Sequence, residues 1–564
     1  MGKWFEASNA TGWILFLVVG FLVLYPVSWL LVGSFLSGRP GITRSFTLSN
    51  YINVYLDPST YRLLWNSIVI VGARTLVGGS LAIFMAWVVT RTNVPCRRVL
   101  EALLIMPMFV PNVLETIGWS ILLSPKSGLI NSAAKWLFGL SQGPFNVYSL
   151  TGLIWVMSVE SLPLMFLLIV SAFRAVDPAL ENAAAMSGAS YPRVFFRVTL
   201  PLLLPAVLGA LTLTFVRGME AFETPTLIGL PARVYVFTNQ IYEVTTLKMP
   251  PRYGEATALG LLLFFITAVL VLFQQRMLRG KEFFVVTGRG YQQRVIELGW
   301  ARWLLFLASA FLVLITLVLP VSQVIVGSFQ GVPGLYSSRP GTWTLAHYAG
   351  VFQSEAFWRS LRNSFVLAGA AGLMTVIMGL LIAYVIHRTL FPLRKLFDFL
   401  VWIPWTLPGL VMGLGMLWAY IYLPDPFNLY GTAWLLIIAF ITSGLPLGVR
   451  LLAGALVQIH PSLEQAGWSS GANRLTSLWF IILPLMRPAL LSGFIILFSL
   501  FIRQLSTVVL LYSEGSELLS ITLFSYFQNG ELGPACAVSV VVLLIVFLTL
   551  GIAGGLTPSI HDMQ

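Results

Sequence analysis

Long runs of apolar residues, separated by short polar connections, dominate the pattern of this sequence. Crossing the hydrocarbon core of a membrane takes about 20 predominantly apolar residues in a helix, and twelve runs are long enough. The predicted spans are 12–34, 64–89, 100–123, 149–173, 200–223, 254–275, 302–326, 363–386, 397–420, 432–455, 484–508 and 534–556. The pattern therefore predicts an all-α polytopic membrane protein with about twelve transmembrane helices.

The order of motifs along the chain repeats once. The segment YPVSWLLVGSF at 25–35 returns as LPVSQVIVGSF at 319–329, and later motifs return in the same order. Two tandem units of six spans that begin on the same side generate a pseudo-two-fold axis along the membrane normal, with the substrate passing between the halves. We therefore expect two six-helix repeats, at 1–285 and 286–564.

Prolines interrupt the third predicted span of each repeat at matching positions. LIMPMFVP at 104–111 returns as VWIPWTLP at 401–408. A proline inside a helix frees a backbone carbonyl and kinks the helix, which a membrane tolerates only where neighbours or a cavity satisfy that group. A packing kink and a pore-lining segment are both open interpretations, and the repetition favours the pore-lining one.

Composition and charge support a membrane location and suggest its sidedness. Of 564 residues, 57% are hydrophobic and 10% are charged, and the mean hydropathy is +0.87. The formal net charge of +12 does not indicate nucleic-acid binding, because the basic residues lie in short connections such as 90–99 and 387–396. Short loops rich in Lys and Arg remain in the cytoplasm. We therefore expect both termini to be cytoplasmic.

Two polar islands of matching register interrupt the apolar runs on this same side. Each contains a Glu, a Gly seven residues later, and a Leu-Pro whose Pro follows the Gly by thirteen residues. These residues are Glu181, Gly188 and Pro201 in segment 177–201, and Glu464, Gly471 and Pro484 in segment 460–484. The pattern predicts a short helix opened by a proline, a left-handed glycine turn, and a second helix that leads into a span.

This spacing resembles the signature loop of permease subunits of ABC importers of the binding-protein-dependent kind. The second copy departs slightly, since Gln465 and Gly467 replace alanines while Ala466 remains. The resemblance implies a bacterial inner-membrane permease that docks two cytoplasmic ABC ATPase subunits and receives substrate from a periplasmic binding protein. The implied coupling residues are Glu181, Ala184, Gly188, Pro201, Glu464, Ala466, Gly471 and Pro484.

The sequence contains no motif of a catalytic or metal-binding site. It lacks the phosphate-binding pattern G-x-x-x-x-G-K-[ST] and the zinc-binding pattern H-E-x-x-H. Its two cysteines, Cys96 and Cys536, imply no disulfide framework. We therefore expect a chain that is not an enzyme and binds no cofactor itself, with ATP and Mg on the partner ATPase.

Acidic residues within the spans are concentrated in the first repeat. A charged side chain at bilayer depth costs about 2.5–3.5 kcal/mol on insertion scales, so each is a functional candidate. The candidates that the first repeat carries within or near spans are Glu115, Glu160, Glu220 and Glu223, and their equivalents in the second repeat are Met412, Ser443, Arg503 and Ser506. We predict that the substrate path passes these acids asymmetrically.

Arg217 lies one helical turn before Glu220 and leaves a structural alternative open. Glu220 could pair with Arg217, or with Arg503 across the axis, instead of contacting substrate. We also expect Glu220 and Glu223, three residues apart, to lie on one face of a single helix near the external end of the fifth span.

Two stretches bear on the substrate. FVRGMEAFETPTLIG at 215–229 and FIRQLSTVVLLYSEGSELLSITLF at 501–524 look like the fifth-span regions of fused iron(III)-import permeases. The resemblance implies ferric iron as cargo. Fe³⁺ prefers oxygen ligands, which makes Glu220 and Glu223 candidates for transient metal contacts.

Other substrates and another class of transporter remain open. Thiamine, polyamine and phosphonate importers share this architecture, and a cationic organic substrate would also suit the acids. An ion-gradient-driven secondary transporter is the alternative of another class. It would not require a Glu–Gly–Pro loop on the cytoplasmic side of both halves.

Overall fold

The computed structural model describes residues 2–42, 45–176, 178–278, 295–334 and 343–556. The predicted repeat boundary at 285–286 and Asp177, the first residue of the first island, lie outside these residues. The helices of the first repeat are α1 Gly2–Ser34, α2 Ser49–Tyr55, α3 Pro58–Arg91, α4 Arg97–Ile105, α5 Asn112–Leu122, α6 Leu129–Phe138, α7 Leu150–Ala175, α8 Pro178–Met186, α9 Tyr191–Val194, α10 Leu200–Glu220, α11 Phe237–Tyr242 and α12 Tyr253–Leu278.

The second repeat follows the same order without a counterpart of α6. Its helices are α13 Ala301–Val313, α14 Leu319–Phe329, α15 Ala346–Gln353, α16 Glu355–Arg388, α17 Arg394–Trp402, α18 Gly409–Ile421, α19 Ala433–Gln458, α20 Ser462–Ser469, α21 Arg474–Ser477, α22 Leu483–Arg503, α23 Leu519–Gln528 and α24 Leu532–Leu556. A short antiparallel hairpin pairs β1 Leu36–Ser37 with β2 Ser45–Phe46.

Short segments of non-α helix join several of these helices. The π-helical segments are Phe195–Thr199, Pro225–Gly229, Glu243–Leu247, Leu314–Val318 and Leu478–Ile482, and the 3₁₀ turns are Met106–Phe109 and Ile403–Thr406. Helix α3 illustrates how local sequence sets a boundary. Asp57 caps its first turn by accepting a hydrogen bond from the Ser59 backbone N–H at 2.8 Å, and Pro58 occupies the first helical position.

The prediction of an all-α polytopic membrane protein is confirmed. Within the described residues, ten helices are long and apolar enough to cross a membrane, and two bent pairs raise the number to twelve if each pair is one span. The bent pairs correct the predicted continuous spans 100–123 and 397–420. Helix α4 with its 3₁₀ turn meets α5 at 103°, and α17 with its turn meets α18 at 107°.

Each bend coincides with the repeated prolines, as their chemistry requires. Pro107 and Pro404 lie in the 3₁₀ turns, while Pro111 and Pro408 directly precede α5 and α18. Proline cannot donate to the carbonyl four residues back, and its ring clashes with that carbonyl. At both bends, the first proline lies in the turn that ends one helix and the second directly precedes the next helix.

The bent pair of the first repeat connects opposite ends of α7. At one end, Glu101 of α4 pairs with Arg174 in the last turn of α7 at 2.6 Å. At the other end, the Val147 backbone N–H, just before α7 begins, donates to Leu123 O after α5 at 3.4 Å. Since α7 is itself a span, the pair crosses from one side to the other. It is a broken span and not a re-entrant loop.

The two repeats interlock through their first spans. Helix α1 packs on α18 of the second repeat, and α14 packs on α5 of the first. Each contact brings a glycine against the backbone of a proline. A Cβ on Gly415 would lie 2.8 Å from Pro26 O, and a Cβ on Gly118 would overlap Pro320 O. The close approach of these helices therefore requires glycine in both copies.

We expect Gly118→Ala and Gly415→Ala to destabilise the protein by about 1–3 kcal/mol each, the usual cost of overpacking. Thermal unfolding of the detergent-purified chain measures this effect. Gly369→Ala is the control, because a Cβ there meets nothing within 4 Å and alanine is favoured in a helix by about 1 kcal/mol. Equal stability of all three variants would contradict the packing argument.

Candidate coupling loops and translocation path

Both polar islands fold as the sequence predicts. Helix α8 ends before Gly188, whose φ is +80°, and α20 ends before Gly471, whose φ is +89°. Only glycine adopts this left-handed conformation without a steric penalty. Asn473 caps the following helix by accepting a hydrogen bond from the Thr476 N–H at 2.7 Å, whereas the side chain of Ser190 forms no capping hydrogen bond at the equivalent position. The helix–turn–helix prediction is confirmed in both repeats.

The second helix of each island continues into a span through one π-helical turn. These turns, Phe195–Thr199 and Leu478–Ile482, directly precede α10 and α22. Pro201 and Pro484 occupy the second residue of those two spans. A wider π turn is frequent where the regular hydrogen-bond ladder is interrupted, and proline supplies no N–H to that ladder. Pro201 and Pro484 therefore lie where each loop becomes a span.

The signature glutamate of the first island points into the protein. Glu181 is 4% exposed and forms an ion pair with Arg91, the last residue of α3, at 3.1 Å. Its carboxylate also accepts a hydrogen bond from the Thr199 hydroxyl at 3.0 Å. Its contacts within the described chain therefore join α8 to two neighbouring elements.

The second island has the same arrangement. Glu464 is 2% exposed, lies 3.4 Å from Arg388 at the end of α16, and accepts a hydrogen bond from the Tyr384 hydroxyl at 2.9 Å. Sequence reasoning missed Arg91 and Arg388. The detectable signal was an Arg-Thr pair, 91–92 and 388–389, at the end of the second predicted span of each repeat.

The departure of the second island from the alanine pattern has a packing reason. A Cβ on Gly467 would lie 2.6 Å from Ile481 Cδ1 in the following turn. The equivalent pair in the first island is Ala184 and Val198, where the smaller partner leaves room for alanine. Ala466 lies exposed on α20. The second island thus combines a smaller residue, Gly467, with a larger one, Ile481, at positions where the first island has alanine and valine.

The candidate path residues gather at the bends between the repeats, but Glu220 and Glu223 do not share a helix. Helix α10 ends at Glu220, Ala221 is extended with ψ 131°, and Glu223 begins the next helical segment. The predicted common face was therefore wrong. Pro225 gives the reason, since in a continuous helix it would clash with the carbonyl of Ala221.

The arginines of the fifth spans reach the bend of the opposite repeat. Arg217 pairs with Glu220 at 3.3 Å and lies over the Trp405 ring of the second repeat, 5.0 Å from its centroid. Arg503 donates to Met108 O of the first repeat at 2.5 Å and interacts electrostatically with Glu223. The Arg217–Glu220 alternative therefore holds in this structure, whereas Arg503 contacts the bend and not Glu220.

The remaining two acids form a buried cluster with hydroxyl groups of the first repeat. Glu160 accepts hydrogen bonds from Thr224 and, at 3.3 Å, from Thr116. Glu115 and Arg74 both interact electrostatically with Glu160. Sequence reasoning missed Arg74, although a lone arginine inside a predicted span was itself a signal. The cluster therefore contains two carboxylates, and its buried cation, Arg74, faces Glu160.

The second repeat places neutral groups where the first has this cluster. Gln504 donates to the Ser443 hydroxyl at 3.2 Å and to the Thr507 hydroxyl at 2.7 Å. Ser443 and Thr507 are the equivalents of Glu160 and Thr224. Among the described residues, no group of three His, Cys, Asp or Glu side chains could hold a metal ion. The candidate path thus has a charged cluster in the first repeat and neutral groups at the equivalent positions of the second, without a ligand cage in the part described.

Comparison with known proteins identifies the family. The family of binding-protein-dependent transport system inner membrane components matches this chain twice, at 78–283 and at 351–562. The chain belongs to this family. Each match contains one signature island and one broken span, so the matches agree with the internal repeat. The membership establishes a multi-pass inner-membrane protein and favours an importer permease over a gradient-driven secondary transporter.

Several relatives of this permease are known by name. The ferric transport system permease protein FbpB of Actinobacillus pleuropneumoniae is 24% identical over 94% of this chain and 75% of its own length. A putative ferric transport system permease protein, FbpB 1, of Haemophilus influenzae is 26% identical over 91% of this chain and 78% of its own. The spermidine/putrescine permease PotB of Haemophilus influenzae is 25% identical over 48% of this chain and 94% of its own.

A double-mutant cycle tests the close contact between Gly467 and Ile481 in the second island. We expect Gly467→Ala to destabilise the permease in the native background and to be tolerated in Ile481→Val, because that change removes the crowding methyl group. The coupling energy should lie within about 0.5–3 kcal/mol, as for contacting residues, and thermal unfolding measures it. Gly454→Ala, which meets nothing within 4 Å, should show no coupling to Ile481→Val.

Proposed function

We propose that this permease carries ferric iron, delivered by a periplasmic binding protein, into the cytoplasm with energy from two ATPase subunits. The carboxylates at the bends between the repeats are the observation that carries this proposal. Oxygen donors suit Fe³⁺, a hard cation. Two of their oxygens, Glu115 Oε1 and Glu220 Oε1, accept no hydrogen bond within the described chain. Both oxygens are buried in this conformation, so a passing cation would reach them only when the path opens.

The spacing of the acids suits transport better than storage. A cation that leaves its binding protein loses ligands and needs replacements that do not hold it tightly. Glu220 and Glu223 lie on separate helical segments and are each balanced by an arginine, Arg217 and Arg503. Because the acids are already compensated, the cargo must compete with these arginines for them. The cargo cation would therefore contact Glu220 and Glu223 only transiently.

The relatives support iron over the other cations considered. The two ferric permeases match 94% and 91% of this chain, which spans both repeats. The spermidine/putrescine permease matches 48%, about one repeat. A polyamine remains the second candidate, since it too would be attracted by the acids.

The signature islands are the proposed docking sites for the ATPase subunits. In the first, Met186 is 90% exposed and Leu180 is 51% exposed, an apolar surface unusual for a polar loop. In the second, Leu463 and Trp468 are exposed. Exposed apolar patches mark interaction sites. ATP and Mg would be bound by those partners, and this chain would hold no ATPase site or cofactor of its own.

The proposed orientation places both islands and both termini in the cytoplasm, with repeats at 1–285 and 286–564. The ion pairs of Arg91 with Glu181 and of Arg388 with Glu464 support it, because they bring the basic connections and the islands to the same end of the spans. Basic short loops stay on the cytoplasmic side. The external side then contains the hairpin β1–β2 and helix α6.

Cysteine labelling of intact cells tests this orientation. In a Cys96→Ser, Cys536→Ser background, we expect a membrane-impermeant thiol reagent to modify Ser45→Cys but not Ser470→Cys until the membrane is permeabilised. Both positions are exposed in the structure, so accessibility depends only on the side of the membrane. Labelling of Ser470→Cys alone would reverse the topology.

Substitutions in the glycine turns test whether the ATPase docks on the signature islands. We expect Gly188→Val with Gly471→Val to reduce the ATPase that co-purifies with the permease by about tenfold or more, because the left-handed conformation costs about 1–2 kcal/mol at each non-glycine residue. Gly454→Val, also exposed and unhindered but within α19, should retain the ATPase. If the double variant co-purified with as much ATPase as the native permease does, docking at these loops would be contradicted.

Uptake of ⁵⁵Fe into proteoliposomes containing the permease, its ATPase and the loaded binding protein tests the cargo and the path. We expect Glu220→Gln with Glu223→Gln to reduce the initial rate by about tenfold or more, the effect of about 1.4 kcal/mol on a barrier. The control Glu255→Gln removes an acid that pairs with Arg252 at the start of α12. Competition by excess spermidine would favour the polyamine alternative. If the double variant took up iron at the rate of the native permease, Glu220 and Glu223 would have a structural role and not a role in transport.

A further inference from the structure

The ends of α3 and α16 each join three elements through one arginine. Arg91 and Arg388 are the last residues of these helices and occupy equivalent positions in the two repeats. Each uses one side of its guanidinium for the signature glutamate and the other for a carbonyl at the end of the fourth span. The same three-part contact has thus been built twice from residues far apart in the chain.

In the first repeat, the contact is almost completely buried. Arg91 Nε lies 3.1 Å from the Glu181 carboxylate, and its Nη2 donates to Phe173 O in the last turn of α7 at 3.0 Å. The side chains of Arg91 and Glu181 are 3% and 5% exposed. A guanidinium is suited to this position because its planar donors point in fixed directions to two acceptors. One side chain therefore joins α3, α7 and α8.

In the second repeat, equivalent atoms meet equivalent partners. Arg388 Nε lies 3.4 Å from Glu464, and its Nη2 donates to Leu456 O at 2.9 Å and to Ile459 O. Leu456 occupies the position of Phe173 in the repeat. The same guanidinium atoms thus face the same kinds of partner in two halves of different sequence, although only Arg91 Nε donates a hydrogen bond to its glutamate within the described residues.

We propose that Arg91 and Arg388 are positioning residues that couple the signature helices to the spans. Their contacts make each signature helix move together with the ends of two spans, so a displacement by an ATPase subunit reaches both spans at once. This inference rests on the proposed function, because it assigns how the docking loops transmit force. Neither arginine contacts the cargo.

The two couplings differ in the hydroxyl group that donates to each glutamate. Glu181 receives its hydroxyl hydrogen bond from Thr199, in the turn that leads into α10, whereas Glu464 receives its own from Tyr384, within α16. The equivalents of these donors are Ile482 and Trp87, neither of which has a hydroxyl. The Glu181 carboxylate therefore also connects the first island to the turn before its fifth span. The Glu464 carboxylate contacts two residues of α16, Tyr384 and Arg388.

The reconstituted complex of permease, ATPase and binding protein tests this coupling. We expect Arg91→Met with Arg388→Met to retain bound ATPase and basal hydrolysis, but to lower the stimulation of hydrolysis by ferric-loaded binding protein by at least about fivefold, the lower range of coupling between sites. Arg91→Lys with Arg388→Lys should restore part of the stimulation, because the charge stays. Unchanged stimulation in the methionine variant would overturn the proposal.

A second measurement does not depend on the cargo. In the purified permease alone, we expect the backbone amides of α8 and α20 to exchange with deuterium about tenfold faster or more in the methionine variant, since these helices lose their anchor. Lysine should again be intermediate. Unchanged exchange would overturn the proposal even if uptake falls. If the native complex takes up no iron while the exchange result holds, the cargo assignment fails and the positioning role stands.

Discussion

A polar group inside a bilayer has no water to bind, and this constraint governs how the two repeats fit together. The prolines break the third span of each repeat and free carbonyl groups at membrane depth. Arg503 of the second repeat donates to Met108 O in the first break. Thr267 of the first repeat donates to Thr406 O in the second break at 3.2 Å. A carbonyl of each break therefore accepts a hydrogen bond from the opposite repeat, and the candidate path residues lie where the repeats depend on one another.

The same constraint operates where the spans meet the two signature islands. A buried carboxylate without a partner would be strongly destabilising, and removing one partner of a buried pair typically costs about 3–5 kcal/mol. Glu181 and Glu464 are buried, and each has an arginine from the end of a span beside it. The pairs therefore fix where the signature helices lie. Their solvent-facing sides remain available for a partner, with apolar side chains such as Met186 exposed.

The scaffold is symmetric, whereas the chemistry along the proposed path is not. Packing features occur in both repeats, including the glycine–proline contacts of Gly118 with Pro320 and Gly415 with Pro26. The carboxylates occur in the first repeat only, and the second offers the Ser443–Gln504–Thr507 network in place of a charge. Duplication preserves what both halves need in order to pack. A single passage between them needs its charged groups only once.

Local rules made much of this protein predictable from its sequence alone. Hydrophobic runs determined the spans, and Gly188 and Gly471 determined turns whose positive φ carries a steric penalty for other residues, because these features depend on adjacent residues and on the lipid solvent. Neighbouring residues also contained an overlooked signal, because Pro225 disfavours one continuous helix that would contain both Glu220 and Glu223. Only the tertiary structure decided which groups meet over long separations. Arg91 and Glu181 are 90 residues apart, and Arg503 and Met108 are 395 apart. Such pairs depend on how helices pack in three dimensions, which the spacing of residues along the chain does not contain.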